Sequence, residues 1–128
     1  MRFVIPGRPI TKKNSSRIII NARTKRPMVI PSPQYKEYEQ AALWHLKQYV
    51  GPTFGGPVRV RALYWLPDRR SRPDLLGLEE ATADILERAG IVANDRLIVS
   101  WDGSRIAGYD KERPRVEIEI TEAEEASA

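Results

Sequence analysis

The stretch Val58-Arg59-Val60-Arg61-Ala62-Leu63-Tyr64-Trp65-Leu66 sets Val58, Val60, Ala62, Tyr64 and Leu66 on one side and Arg59, Arg61, Leu63 and Trp65 on the other. This period-two alternation is the pattern of a β-strand with one buried face. Pro67 ends it, because proline donates no ladder hydrogen bond, and the basic segment Asp68-Arg69-Arg70-Ser71-Arg72-Pro73 follows. From Asp74 to about Ala89 the period changes. Leu75, Leu78, Thr82, Ile85 and Ala89 recur at three- and four-residue intervals, which predicts an amphipathic helix stopped by Gly90.

Downstream of that helix, Ile91-Val92-Ala93-Asn94-Asp95 reads as a turn into a strand from Leu97 to Trp101. Val116, Ile118 and Ile120 then alternate with Arg115, Glu117 and Glu119 in a final strand. Upstream, Phe3 to Ile5 is a short strand stopped by Pro6-Gly7. Arg17-Ile18-Ile19-Ile20 and Met28 to Ile30 flank the basic turn Asn21 to Pro27, predicting a hairpin that presents Arg23, Lys25 and Arg26. Ser32-Pro33 supplies an N-cap and a proline at the first helical position. Tyr35, Tyr38, Ala42, Leu46 and Tyr49 share one face of the helix that follows, which ends near Gly51. The Gly51–Pro57 cluster is a loop, too short to separate a pair of viable domains. Strands and helices intersperse without a regular βαβ repeat, so the class is α+β: a mixed β-sheet with two main helices in a single compact domain. The domain covers residues 1–121, and 122–128 form an acidic, flexible tail.

The chain has 128 residues with 21 Lys plus Arg against 17 Asp plus Glu, a net charge of +4. It has no cysteine and one histidine, His45, which excludes a disulfide framework, a thiolate zinc site, a cysteine nucleophile and a His-rich metal site. Any metal must be held by oxygen. A lone histidine on a helix is ordinarily a packed or surface residue. No apolar run approaches the ~18 residues of a membrane span and the N-terminus lacks a signal-peptide apolar region, so the expected address is cytoplasmic, with no membrane partner. The charge is unevenly spread. Residues 1–36 hold nine basic side chains and no carboxylate, whereas the last eight residues hold Glu122, Glu124 and Glu125 and no base. A solvated basic face or a polyanion-binding surface would both look like this, the second because clustered Lys and Arg release counterions from phosphates.

Carboxylates are the remaining chemistry. Glu80, Asp84 and Glu87 fall on one face of the second helix at offsets of four and three residues, ~5–6 Å apart between turns, where they can share a divalent cation or form an ordinary solvated acidic face. Asp74 begins this helix and Asp95 follows its end, roughly 22 Å away at ~1.5 Å per residue. They meet only if the chain after Gly90 folds back along the helix. Carboxylates bracketed by arginines in a basic chain point to an oxygen-ligated metal within a phosphate-binding surface, the requirement of phosphodiester hydrolysis. No Asp/Glu-x-Lys triplet follows Pro73-Asp74, and no glycine-rich loop opens a helix, so a restriction-type site and a phosphate cradle are both excluded.

Three segments carry a family resemblance: Leu66-Pro67-Asp68-Arg69-Arg70-Ser71-Arg72-Pro73-Asp74-Leu75, Ala81-Thr82-Ala83-Asp84-Ile85-Leu86 and Ala89-Gly90-Ile91-Val92-Ala93-Asn94-Asp95-Arg96-Leu97-Ile98. Together with Phe3 to Ile10, Lys12-Lys13-Asn14 and the strand Val116 to Ile120, they resemble the RusA family of Holliday junction resolvases. These are small Mg²⁺-dependent endodeoxyribonucleases, often prophage-encoded, that act as homodimers on four-way DNA. The family pattern has an aspartate, a second aspartate two residues on followed by asparagine, a lysine four residues after that second aspartate, and an aspartate in an Asp-Asp or Asn-Asp turn. Asp74 matches the first and Asp95, after Asn94, the last. Leu76 stands at the second aspartate, Gly77 at the asparagine and Glu80 at the lysine.

The resemblance implies a RusA-like fold and an endonuclease that resolves four-way or other branched DNA in recombination and repair, of bacterial or phage origin. Asp74, Glu80 and Asp95 are then the catalytic and metal-binding residues, with Glu80 replacing the missing ligand in preference to Glu79, and Asp84 a further ligand. The cofactor is Mg²⁺, with Mn²⁺ a substitute. Lys12, Lys13, Arg17, Arg69, Arg70 and Arg72 contact DNA phosphates, and a homodimer sets two sites on opposed strands of a symmetric junction. A catalytically inactive relative that still binds branched DNA carries the same substitutions, and a protein-interaction domain whose acidic tail meets a basic partner is the third reading. Arg88, Arg96, Trp65 and Trp101 take no role in these readings.

Overall fold

The computed structural model describes residues 1–12, 16–31, 33–49, 51–70 and 72–124. At its centre is β4 (Val58–Leu66), where Val58, Val60, Ala62, Tyr64 and Leu66 are buried and the alternate residues face outward, as the period-two pattern requires. β7 (Arg115–Glu122) pairs antiparallel with β4, and β1 (Arg2–Pro6) pairs antiparallel with the other edge of β7. β5 (Ile98–Ser100) and β6 (Arg105–Tyr109) both run parallel to β4, the first beside its start and the second beside its end. The sheet is therefore mixed, in the order β1-β7-β4-β5 with β6 also on β4.

Two helices cover one face. α1 (Pro33–Leu46) buries Tyr35, Tyr38, Ala42 and Leu46, and α2 (Leu75–Arg88) buries Gly77, Leu78, Ala81, Thr82, Ile85 and Leu86. These side chains form one core with Val58, Val60, Ala62 and Tyr64 of β4, Val116, Ile118 and Ile120 of β7, and Ile5 of β1. Within it the Tyr64 hydroxyl lies 2.7 Å from Thr82 Oγ1, which itself donates to the Leu78 carbonyl at 2.8 Å, so these two buried hydroxyls satisfy each other and the helix backbone. The opposite sheet face carries Trp65, whose indole N–H donates to Glu117 Oε1 at 2.7 Å beneath the Arg115 guanidinium, 4.9 Å from the ring.

β2 (Ser16–Ile20) and β3 (Pro27–Pro31) make a separate antiparallel hairpin. Its turn is tightly bonded. Asn21 Oδ1 accepts the N–H groups of Arg23 and Thr24 at 2.8 and 3.2 Å, and Lys25 N donates to the Asn21 carbonyl at 2.7 Å. Lys25 sits at φ 55, in the left-handed region that costs a residue with a Cβ about 1–2 kcal/mol.

Four features differ from the sequence expectation. α1 stops at Leu46, and Tyr49 leaves the helical face because its N–H closes a turn on the Leu46 carbonyl and its ring packs edge-on to Phe3, 5.4 Å between centroids. The strand expected from Leu97 is shortened by a 3-10 turn at Asp95–Leu97. β6 has no counterpart in the sequence pattern. Its residues Arg-Ile-Ala-Gly-Tyr show no clear alternation, and Gly108 is there for fit, since a Cβ would lie 2.9 Å from Trp65 Cζ3. Finally, β7 runs on through Glu122, which pairs with Val58, so the strand takes in the first residue of the expected acidic tail; residues 125–128 lie outside the described residues. No helix among the described residues is long and apolar enough to cross a membrane.

Candidate active site

β4, α2 and β5 form a parallel crossover, and this decides where the carboxylates stand. Parallel strands require the connecting helix to carry the chain back from the C-terminal end of the first to the N-terminal end of the second. α2 thus starts at the end of β4 that bears the arginine loop and finishes at the other, where Ile98 pairs with Val58.

Asp74 is the N-cap of α2, with extended backbone at φ −75 and ψ 145, and its Oδ2 accepts the Gly77 N–H at 3.0 Å. Gly77 permits this closeness. A Cβ there would lie 2.8 Å from Asp74 Oδ1 and 3.1 Å from Thr11 Cγ2, so the N-terminal segment packs directly on the first turn of α2. Leu76, the next residue back, is 77% exposed, and Glu80 is exposed one turn further on. Glu79 is half-buried, and burial pushes its carboxyl above the ordinary range.

Asp84 Oδ2 lies 2.9 Å from Lys12 Nζ and 3.0 Å from Arg88 Nε, and Arg88 also reaches Glu39 Oε1 at 3.3 Å. The network ties the N-terminal segment, α2 and α1 together, and Lys12 lies 5.8 Å from the centroid of the buried Tyr35 ring. Burial, followed by the negative charges of Glu39 and Asp84, pushes the Tyr35 phenol above its ordinary range. Lys12, expected on DNA, therefore has a carboxylate partner, and Asp84, expected on a metal, has two cations.

Asp95 opens the 3-10 turn after α2, where Asn94 Oδ1 caps the Arg96 N–H at 2.9 Å and Asp95 N donates to Glu87 Oε1 at 3.3 Å. The chain does not fold back along α2. Ile91 and Val92 are fully buried, and Phe54 brackets them, its N–H on the Ile91 carbonyl at 2.9 Å and its carbonyl accepting the Ala93 N–H at 3.0 Å. Glu87, beside Asp95, follows Asp74 by 87 − 74 = 13 residues, which is about 20 Å of helix at 1.5 Å each. Asp74, Glu80 and Asp95 therefore do not converge in one chain, and among the described residues no three such ligands form a metal-holding group.

The basic side chains divide differently. Arg69, Arg70 and Arg72 are all exposed; Arg69 lies over the Tyr109 ring at 5.1 Å, and the Arg70 N–H is held by Asp68 Oδ1 at 2.8 Å. Arg72 and Pro73 line a cleft of about 870 Å³, walled on the other sides by Pro6 to Thr11 and by Gln34, Glu37, Tyr38 and Ala41 of α1. Arg8 lines the same cleft. Sequence reasoning passes over it, although Gly7, at φ 103, marks the sharp turn that delivers it. Lys13 lies outside the described residues. Arg17 is placed on β2. His45 is exposed on α1, its ring edge-on to Trp44 at 5.2 Å.

Fold and site together define a small α+β domain with an arginine-bearing cleft beside a helix-capping aspartate. The chain belongs to the family of Endodeoxyribonuclease RusA, whose pattern it matches over residues 6–121. It is 33% identical over 77 residues to the crossover junction endodeoxyribonuclease RusA of Aquifex aeolicus (strain VF5). That match covers 59% of this chain and 60% of the relative's length.

Proposed function

We propose that the protein is an endodeoxyribonuclease that resolves four-way or other branched DNA junctions by phosphodiester hydrolysis, acting in recombination and repair as a homodimer with Mg²⁺ or Mn²⁺. The observation that carries this reading is the cleft lined by Arg8, Arg72 and Pro73, the last of which immediately precedes the helix cap Asp74. Guanidinium groups bind phosphate oxygens bidentately and hold a strand in register, while the Gly77 N–H keeps the Asp74 carboxylate fixed at the start of α2. Family membership supports the substrate class.

Within one protomer no three carboxylates among the described residues gather to hold a Mg²⁺ ion. A two-fold axis that sets α2 antiparallel to its counterpart offers a resolution, since it brings Asp74 of one protomer to the partner's Asp95, twice over. The exposed Leu76, two residues after Asp74, then gains a surface to cover it.

A second reading, a catalytically inactive protein that binds branched DNA, is favoured by Leu76 itself: where the family has an aspartate, a leucine 77% exposed offers no ligand. A labelled four-way junction separates the two. Cleavage with 5′-phosphate nicks in Mg²⁺ or Mn²⁺ supports the nuclease, and tight binding with no cleavage at any metal concentration establishes the binding protein. Failure to bind DNA even at low salt overturns both and leaves the protein-interaction reading.

A further inference from the structure

The tip of the β2–β3 hairpin takes no part in the cleft. It carries Arg23, Lys25 and Arg26 within four residues, all exposed and none with an ion pair or side-chain hydrogen bond among the described residues. No carboxylate occurs in the first 36 residues to neutralise them locally. The tip is nonetheless ordered. The Asn21 side chain holds two N–H groups, and Asn21 N donates to the Arg26 carbonyl at 2.9 Å, so the three cations are presented on a fixed turn. Lys25 stands at the left-handed position, where glycine would close the same turn without strain. A cation stands there against the preference of the backbone.

β3 leads from this tip to α1, whose Gln34 and Glu37 line the cleft. Its five residues span ~16 Å at 3.3 Å each, so the tip stands within about that reach of the chain entering α1. We propose that the hairpin tip is a second DNA contact, gripping backbone phosphates of a duplex arm that continues from the strand held in the cleft. This rests on the DNA reading given above. Phosphate contacts of this kind fix register on an arm and carry no sequence information.

The test is the salt dependence of binding to a labelled four-way junction, read by fluorescence anisotropy with the full chain and no divalent metal. Replacing Arg23, Lys25 and Arg26 together by glutamine lowers the slope of log K against log salt by about 2.7, or about 0.9 per lost phosphate contact. Lys25→Gly alone lowers it by about 0.9 while leaving the melting temperature unchanged or higher, which separates lost charge from lost fold. An unchanged slope in variants that still bind overturns the inference and leaves the DNA reading intact. Wild-type protein that fails to bind at low salt removes the DNA reading itself. Equal loss of binding to phosphatidylserine vesicles and to DNA overturns the assignment to duplex DNA in favour of a general anionic surface.

Discussion

Asp74 and Asp95 stand at opposite ends of α2, one capping its N-terminus through the Gly77 N–H at 3.0 Å and the other opening the turn whose N–H meets Glu87 Oε1 at 3.3 Å. If a site joins them across a two-fold axis, two dead variants mend each other. An equal mixture of Asp74→Asn and Asp95→Asn protein, unfolded and refolded together, contains mixed dimers with one intact site each. Statistical pairing then restores about a quarter of wild-type nicking. No recovery in the mixture, with each variant inactive alone, places both residues in separate or single-chain roles.

Asp74 also stabilises the fold, and the two duties separate by choice of substitution. Asparagine caps a helix as well as aspartate does, so Asp74→Asn should unfold within about 0.5 kcal/mol of wild type. Asp74→Ala leaves the Gly77 N–H without its acceptor and should lose about 1 kcal/mol. Urea denaturation of both variants checks this, and equal losses would show that the cap is not what holds the first turn.

The Lys12–Asp84–Arg88–Glu39 network makes a different prediction. Its side chains range from well buried to half exposed, so Asp84→Asn should destabilise by about 1 kcal/mol and not by the amount of a buried charge pair. The loss should shrink at about 1 M salt, where screening is strong. Denaturation midpoints at low and high salt measure it, and a loss independent of salt would point to packing.

Glu79 fixes a pH dependence. Burial raises its carboxyl above the ordinary 4.5, so the folded chain binds this proton more tightly than the unfolded chain. The associated stability is present when the group is protonated and is lost as pH rises through the folded-state value. Glu79→Gln, which mimics the protonated form, should therefore melt higher than wild type at pH 7. The gap should close as pH falls below about 4.5, where the wild-type carboxyl is protonated in the folded and the unfolded state alike. Melting curves across that range decide it.

Much of the fold is legible in local pattern. The β4 alternation, the α2 stripe from Leu78 to Ile85 and the Asp74 start signal are of this kind, and such patterns dictate which face is buried and where a helix begins. The weak alternation of Arg105–Tyr109 explains why β6 escapes a reading by periodicity: its place depends on pairing with Leu63–Leu66, some forty residues earlier.

What the sequence alone determined is the chemical inventory: no thiolate and one imidazole, hence oxygen-only metal chemistry, with a cationic first third facing a small set of carboxylates. It also determined most of the secondary-structure elements that bear them. Only the tertiary structure decided who meets whom. Spacing let Asp95 return toward Asp74, whereas parallel pairing of β4 with β5 and the burial of Ile91 and Val92 hold it at the far end of α2. Spacing left Lys12 open to phosphate and Arg8 without a role, whereas packing sets Lys12 on Asp84 and Arg8 on the cleft wall. The reason is the same in each case: the partner is set by contacts between segments distant in sequence, and residue periodicity carries no information about those.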